Sequence, residues 1–465
     1  MKHNLHTILA LWTLLVFVPL QAQTRLSLSQ CKEMAQHQDP AIKNAQLSIL
    51  AAQAQRQEAK ANYFPTVSIT SFGFWALNPM IQLTLEDVLG KSTFTDQLQN
   101  ILDQVSPRLG IHTRFDALEY GYSAQIMLTQ PVYAGGRIVT GNRLAQVGEQ
   151  AATLQARIQQ RNSLEQIEKD YWQVVLLEEK KTTLVQLHQL LDTLAKDIQS
   201  AIQAGLRTET DLLQVQLKQG ELRQGILQLE QGIRLSKMDL FNRIGQPYRL
   251  LPDQDPQSST PALDQIVLSD RPDSLQQPSV HYVPEDEIVV SMDESQLLQL
   301  SVQAKALEKR MALGEALPQV GIGASYGYSQ LVNGYANGTA YAMIQIPLSD
   351  WGKVSRKVKR QDYLLQQAQN DQEYLSGQLL LLIRQQWLEV TTTWDKLALA
   401  RQNEDLAQRT WENQSRHFDA GLIPLAELLQ AQTSLQQAKE AHLDAEIAYR
   451  NAVVAYTGHI RNNQP

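Results

Sequence analysis

The sequence predicts a mixed α and β chain, mainly α, built from a duplicated unit in which short strands lead into very long helices. Three observations carry this. From Gly136 to Gly205 the chain runs 69 residues without a proline, and none follows until Pro247. At 1.5 Å per residue a straight helix of that length reaches roughly 100 Å, more than a compact domain can use. Glutamine, leucine and alanine dominate and aromatic residues make up only 6%, a composition for long helices. Finally, the same landmarks recur at a constant offset.

That offset is 216 residues. It relates Pro131 to Pro347, Gly136 to Gly352, Arg137 to Lys353, Tyr171 to Trp387, and Ala204-Gly-Leu206 to Ala420-Gly-Leu422. It still holds at Leu212-Leu-Gln214 and Leu428-Leu-Gln430. Chance alignment of apolar heptads would not bring turn glycines and strand-end prolines into register together. Upstream, Pro65 matches Pro318 at an offset of 253, so the first repeat carries 37 extra residues between its strands.

Taken in order, residues 1–22 read as a secretory signal: Lys2, then an apolar stretch from Ile8 to Leu20, with Ala22 as the last residue removed. Nothing later approaches 18 consecutive apolar residues. The single cysteine, Cys31, lies well past that stretch, so neither an intramolecular disulfide nor a lipid anchor is expected. The first repeat spans residues 23–245. Leu26 to Asn62 reads as helix, capped by Ser29 and broken at Asp39-Pro40. A strand follows over about 66–77. Residues 78–115 form an insertion expected to hold one or two short helices, and a second strand covers about 118–131.

Tyr120, Tyr122, Ala124, Ile126 and Leu128 alternate with Glu119, Gly121, Ser123, Gln125 and Thr129, Met127 being the exception. The length, alternation and aromatic ends fit a transmembrane barrel strand. They fit a half-buried strand of a soluble sheet equally well. The long helix then covers about 137–204, a glycine turn stops it, and Thr208 with Asp211 caps a return helix over 209–244. Residues 246–290, broken by six prolines between Pro252 and Pro284, read as a connector with little regular structure. The second repeat, 291–460, has a helix over Glu294–Leu317, strands at about 319–330 and 339–347, a long helix at about 353–419 and a return helix at about 424–457. A tail, 461–465, follows. Four strands are too few to close a barrel and leave exposed edges. Three copies would supply twelve strands and a ring of long helices.

The mildly acidic balance, net −7, carries no nucleic-acid footprint. The nine histidines are scattered and show no metal-ligand spacing. His188, on the long helix, reads as a surface or packing residue. Gly135-Gly136 lacks the Gly-Lys-Ser/Thr of a phosphate loop. No nucleophile motif stands out, so the chain reads as no enzyme and needs no cofactor. The runs Glu178-Glu-Lys-Lys181 and Arg356-Lys-Val-Lys-Arg360 read as solvated helix faces; the second, about ten residues after a strand, also suits lipid headgroups.

Four stretches in this order resemble the TolC family of outer-membrane efflux ducts: Leu26-Ser-Leu-Ser-Gln-Cys31, Asn62-Tyr-Phe-Pro-Thr-Val67, Thr129-Gln-Pro-Val-Tyr-Ala-Gly-Gly-Arg137 and Ala420-Gly-Leu-Ile-Pro-Leu-Ala-Glu-Leu-Leu-Gln-Ala-Gln432. Each is weak alone; the order, the duplication and the signal segment make the likeness specific. The resemblance implies a homotrimer in the outer membrane of a Gram-negative bacterium. Its twelve strands would form a β-barrel in lipid, continued by a periplasmic α-helical barrel. The connector would lie in a belt around the helices. Substrate would pass down the axis, driven by an inner-membrane pump of the RND or ABC type through a periplasmic adaptor protein. By position, the tip turns that meet the adaptor are Gly205, Leu206, Arg207 and Thr208, and Gly421, Leu422, Ile423 and Pro424. The periplasmic entrance falls at Glu427 and Gln430, with Asp211 and Gln214 their first-repeat counterparts. Glu427 keeps the acidic ring of the family's best-known member, whereas Gln430 departs from a second one. An acid in a first helical turn is also what the helix dipole favours by itself. Pro131, Gly135, Gly136, Pro347 and Gly352 would mark the junctions where barrel hands over to helix. The same fold would also serve as the exit of a type I protein secretion system. A reading of a different class, a non-pore periplasmic adaptor or scaffold, predicts no membrane strands.

Overall fold

The structure is a computed structural model. It describes residues 24–78, 80–109, 114–117, 120–250, 260–271, 275–330 and 335–460. The signal segment and the tail lie outside the described residues, as do parts of the insertion, the connector and the loop between the second repeat's strands. Two compact units are formed. The first comprises Met1–Ala51, Gln150–Leu300 and Asn370–Pro465; the second comprises Ala52–Glu149 and Ser301–Gln369.

The duplication is visible in element lengths. In the first repeat, helix α2 (Pro40–Ala61) has 22 residues, α5 (Arg137–Gln203) 67 and α6 (Glu209–Ile244) 36. Their counterparts α8 (Asp293–Gly314), α9 (Lys353–Asp419) and α10 (Leu425–Ile460) have the same 22, 67 and 36. Strands β2 (Thr66–Trp75) and β5 (Tyr120–Ala134) belong to the first repeat, β7 (Gln319–Ser329) and β8 (Tyr335–Gln345) to the second.

Several boundaries differ from the sequence expectation, each for a local reason. Ser27, not Ser29, caps α1 (Leu28–Gln38), because Ser27 and Gln30 complete a reciprocal capping box. Asp39 does break the helix, and it restarts the chain as well: its carboxylate accepts from Ala41 N at 2.7 Å, with Pro40 in the first position of α2. Strand β5 continues past Pro131 to Ala134 because a bulge lies between Pro131 and Tyr133. A bulge is a place where a strand tolerates a residue with no N–H. Strand β8 starts at Tyr335, earlier than its Asn and Gly residues suggest, because Tyr335 to Gly338 pair with Ser329 to Tyr326. Helix α8 stops at Gly314, short of Leu317.

The insertion holds α3 (Leu85–Leu89) and α4 (Thr93–Leu109) and also an antiparallel strand pair, β3 (Ile81–Thr84) with β4 (Arg114–Ala117). The connector is more regular than its prolines suggest. Its strand β6 (Ile266–Leu268) pairs in parallel with β1 (Thr24–Leu26), and Glu285–Ser291 forms helix α7. Buried tyrosines pin it to the helices. Tyr171 Oη donates to Leu26 O at 3.1 Å and accepts from Asp270 N at 3.0 Å. Tyr449 Oη donates to Gln276 O at 2.6 Å, and Tyr456 Oη donates to Val283 O at 3.0 Å. A hydroxyl that both donates and accepts satisfies the backbone of a segment without ladder partners. Cys31 is buried in the same core, where desolvation and Asp270 push its thiol up to about 12, so it behaves as a small apolar residue.

Candidate functional site

Two regions carry the functional expectations, one in each unit. In the second unit, β2, β5, β7 and β8 form an antiparallel sheet in the order β2-β5-β7-β8. None of its residues is charged. Directly opposed residues share a face, so the pairing register sorts the side chains. Val67, Ile69 and Trp75 pair with Leu128, Ile126 and Tyr120. Ile126 and Leu128 pair with Tyr326 and Ala324, and Ala324 with Ala340. This face is apolar across all four strands apart from Ser71 and Gln130 and lies open: Ile69 is 76% exposed, Ile126 51% and Tyr326 64%. The other face carries Ser68, Thr70, Ser123, Gln125, Ser325, Asn337 and Thr339, apart from residues such as Phe72, Met127 and Tyr341. A soluble sheet of this size does not leave its apolar face open to water, whereas a barrel wall in lipid does. Strands β2 and β8 each have one unpaired edge.

The strand-to-helix junctions differ between repeats. Gly135 and Gly136 take φ of 63° and 74°, and Trp351 and Gly352 take 55° and 79°. Two successive left-handed residues thus turn each strand into its long helix. A Cβ on Gly135 would sit 2.0 Å from Gly314 O, whereas one on Gly136 meets nothing within 4 Å. In the second repeat Asp350 caps α9, accepting from Val354 N at 2.6 Å and Gly352 N at 3.0 Å. These backbone donors hold its carboxyl below the ordinary range. Pro131 lies inside β5 at its bulge, and Pro347 follows the end of β8.

In the first unit, the predicted tip residues form two turns of the same geometry. Leu206 N donates to Ala201 O and Gly205 N to Ile202 O, both at 2.9 Å. Leu422 N donates to His417 O at 2.8 Å and Gly421 N to Phe418 O at 2.9 Å. With φ of 75° and 73° at the glycines, both are Schellman stops. Arg207 links the two turns, donating to Phe418 O at 3.4 Å with its guanidinium 4.2 Å from the Phe418 ring centre. Phe418, Leu425 and Leu428 are buried with Leu191, Val215 and Leu222. Leu206 and Leu422 are left 77% and 72% exposed, beside Pro424 and the half-buried Ile423.

Of the four residues expected at the entrance, Gln214, Glu427 and Gln430 are exposed. Glu427 makes no ion pair among the described residues. Asp211 is engaged elsewhere: its carboxylate accepts from Thr208 N at 3.0 Å and Thr208 Oγ1 at 2.9 Å, closing a capping box. Sequence reasoning did not single out Gln432. It is buried beside this cluster, and neither amide atom has a partner. It lines a cavity of about 220 Å³ with Trp411, Phe418 and Leu428. A polar residue at a helix position otherwise reading as core was the available signal. His188 lies 3.3 Å from Asp192 on the surface of α5. Among the described residues no group of His, Cys, Asp and Glu could hold a metal ion, and no helix is long and apolar enough to cross a membrane.

The outer membrane efflux protein family matches residues 32–246 and 296–457, well over half the chain. The chain belongs to that family. Solved structures share the fold of this outer membrane efflux protein at low identity. The CmeC outer membrane channel of Campylobacter jejuni is 14% identical, with a TM-score of 0.72 over 93% of this chain and 85% of that one. The VceC outer membrane protein of Vibrio cholerae is 16% identical, with a TM-score of 0.69 over 93% and 95%. The MtrE channel of Neisseria gonorrhoeae, in its open state, is 13% identical, with a TM-score of 0.64 over 93% and 88%. No curated protein matches the chain in sequence.

Proposed function

We propose that this efflux protein is the passive outer-membrane exit duct of a tripartite export system. In this reading three copies close their sheets into one twelve-stranded barrel, and their helices form a periplasmic tunnel. The observation that carries it is the uncharged sheet with one open apolar face, one largely polar face and two unpaired edges. Copies of the same sheet are the simplest partners for those edges. The helices also leave apolar stripes without partners. Leu381, Leu388, Leu399 and Leu406 are all more than half exposed and fall within about 20° of one another around α9. Leu213, Leu217, Leu227 and Leu235 make a broader stripe on α6. A ring of neighbouring copies would cover both.

The duct does no chemistry of its own; an inner-membrane pump, reached through a periplasmic adaptor, supplies the work. The exposed Leu206, Leu422 and Pro424 of the tip turns, with the half-buried Ile423, are the surface offered to the adaptor. With Asp211 engaged in its cap, Glu427 is the acid free to form a ring of three carboxylates at the entrance, and Gln430 and Gln214 line it without charge.

The test is purification in detergent and reconstitution in planar bilayers. A trimer that conducts ions supports the duct; a detergent-independent soluble monomer overturns it. Glu427→Gln should lower the cation preference of the conductance, and unchanged selectivity would remove Glu427 from the entrance. Gly421→Pro, which loses both the N–H and the left-handed backbone of the stop, should impair adaptor coupling while leaving membrane insertion intact.

A further inference from the structure

The junction of the second repeat carries features that neither its fold nor an exit duct requires. Trp351 is 94% exposed and holds a left-handed backbone, with φ of 55°, a conformation that strains a bulky side chain. The first repeat places Gly135 there. Leu348 is 93% exposed and continues the alternation of Ile344 and Ile346, 67% and 57% exposed, beyond the end of β8. The apolar face of the sheet therefore runs on past its last hydrogen bond. Beside it lies a largely apolar groove of about 410 Å³, lined by Leu313, Ala316, Pro347, Leu348, Val354 and Val358, with Ser349, Ser355 and the capping Asp350 also on its wall.

Directly after this edge, α9 opens with cations. Lys353, Arg356, Lys357 and Arg360 occupy one sector of roughly 100° around the helix. In the first repeat the same positions are Arg137, Thr140, Gly141 and Leu144, so the charge is not a requirement of the fold. Lys357 pairs with Glu315. Lys353, Arg356 and Arg360 are exposed and enter no ion pair among the described residues. The nearby carboxylates are already engaged: Asp350 caps α9 and Asp362 pairs with Lys309. Cations at the start of a helix also oppose its dipole, and this placement favours an external anion. The backbone amides there are taken by Asp350, which leaves the side chains to bind it.

We infer that this junction is a binding site for an anionic phospholipid of the inner leaflet. Lys353, Arg356 and Arg360 hold the phosphate, Trp351 sits at the headgroup level, and the groove takes an acyl chain. The amphipathic indole suits that depth, and a cluster of basic side chains immediately outside a membrane segment selects anionic headgroups. The inference rests on the sheet being the membrane wall.

The experiment uses the full chain in non-ionic detergent, with phosphatidylglycerol or phosphatidylethanolamine added and retention read by native mass spectrometry. The parent should keep phosphatidylglycerol in preference. The triple variant Lys353→Gln, Arg356→Gln, Arg360→Gln should lose it roughly tenfold or more, because each basic residue contributes about fivefold at an anionic surface. Its phosphatidylethanolamine retention should not change. Trp351→Ala should weaken retention of both lipids. Equal retention of phosphatidylglycerol by parent and triple variant overturns the inference, and so does loss of the trimer in that variant, which would make these cations a subunit contact. Failure of the underlying reading appears separately, as a parent that neither needs detergent nor enters vesicles.

Discussion

Replacing His459 with Gln should remove an acid-labile contribution to the stability of the first unit. His459, on α10, is 8% exposed; its Nδ1 has no partner and its Nε2 lies 3.4 Å from Gln386 Nε2. Burial lowers its pKa from 6.5 to about 4; the Arg161 guanidinium adds to the shift and Glu294 opposes it. The folded chain therefore keeps the imidazole neutral where the unfolded chain has already bound a proton. Stability from this residue is complete above pH 6.5 and is lost as pH falls toward 4. At pH 4.5, two units below the unfolded pKa of 6.5, the loss is about 2–3 kcal/mol at 1.36 kcal/mol per unit. Burial raises Glu165, which works in the opposite sense, so the parent's own pH profile mixes the two. The comparison of parent with His459→Gln isolates the imidazole. Equilibrium urea denaturation in detergent, followed by far-ultraviolet circular dichroism at pH 7.5 and 4.5, should show the parent losing about 2–3 kcal/mol more than the variant. Parallel losses in the two chains would refute the reasoning.

Three further substitutions separate packing from backbone effects. Gly135→Ala must move the Gly314 backbone, since its Cβ would meet Gly314 O at 2.0 Å. It should cost clearly more than Gly136→Ala, which meets nothing within 4 Å and carries only the left-handed cost of about 1–2 kcal/mol; thermal unfolding of both variants reads the difference, and equal losses would contradict the close approach. Gln432→Leu removes two buried amide atoms without partners and should stabilise the chain by about 1 kcal/mol, seen as a higher Tm; a lower one means the amide is satisfied in the assembled protein. Thr208→Ala opens the cap of α6 and should cost about 1 kcal/mol, with faster amide hydrogen exchange confined to its first turn.

The sequence was most informative where a rule is local. A proline-free run flanked by glycines set both long helices to within one or two residues, because the left-handed stop at Gly205 and Gly421 needs no distant partner. Constant spacing exposed the duplication for the same reason: helices of equal length return their landmarks at equal intervals. Alternation found the strands, but it left a membrane wall and a soluble sheet equally open.

Which residues share a face needed the register. Only the pairing of β2, β5, β7 and β8 assembled Ile69, Ile126 and Tyr326 into one exposed apolar face, and cross-strand neighbours are not adjacent in sequence. Pairing also overrode turn chemistry at Tyr335–Gly338 and let β5 pass Pro131. Asp211 and Glu427 look alike as first-turn acids. Thr208 engages the first, while Pro424 precedes the helix at the matching position in the second repeat and brings no hydroxyl to close such a cap. The sequence by itself determined the long helices, their stops and the repeat, all consequences of backbone preference over a few residues. Tertiary structure alone decided which face of the sheet is apolar and that Gly135 must be glycine. Each of those depends on an atom contributed from another part of the chain.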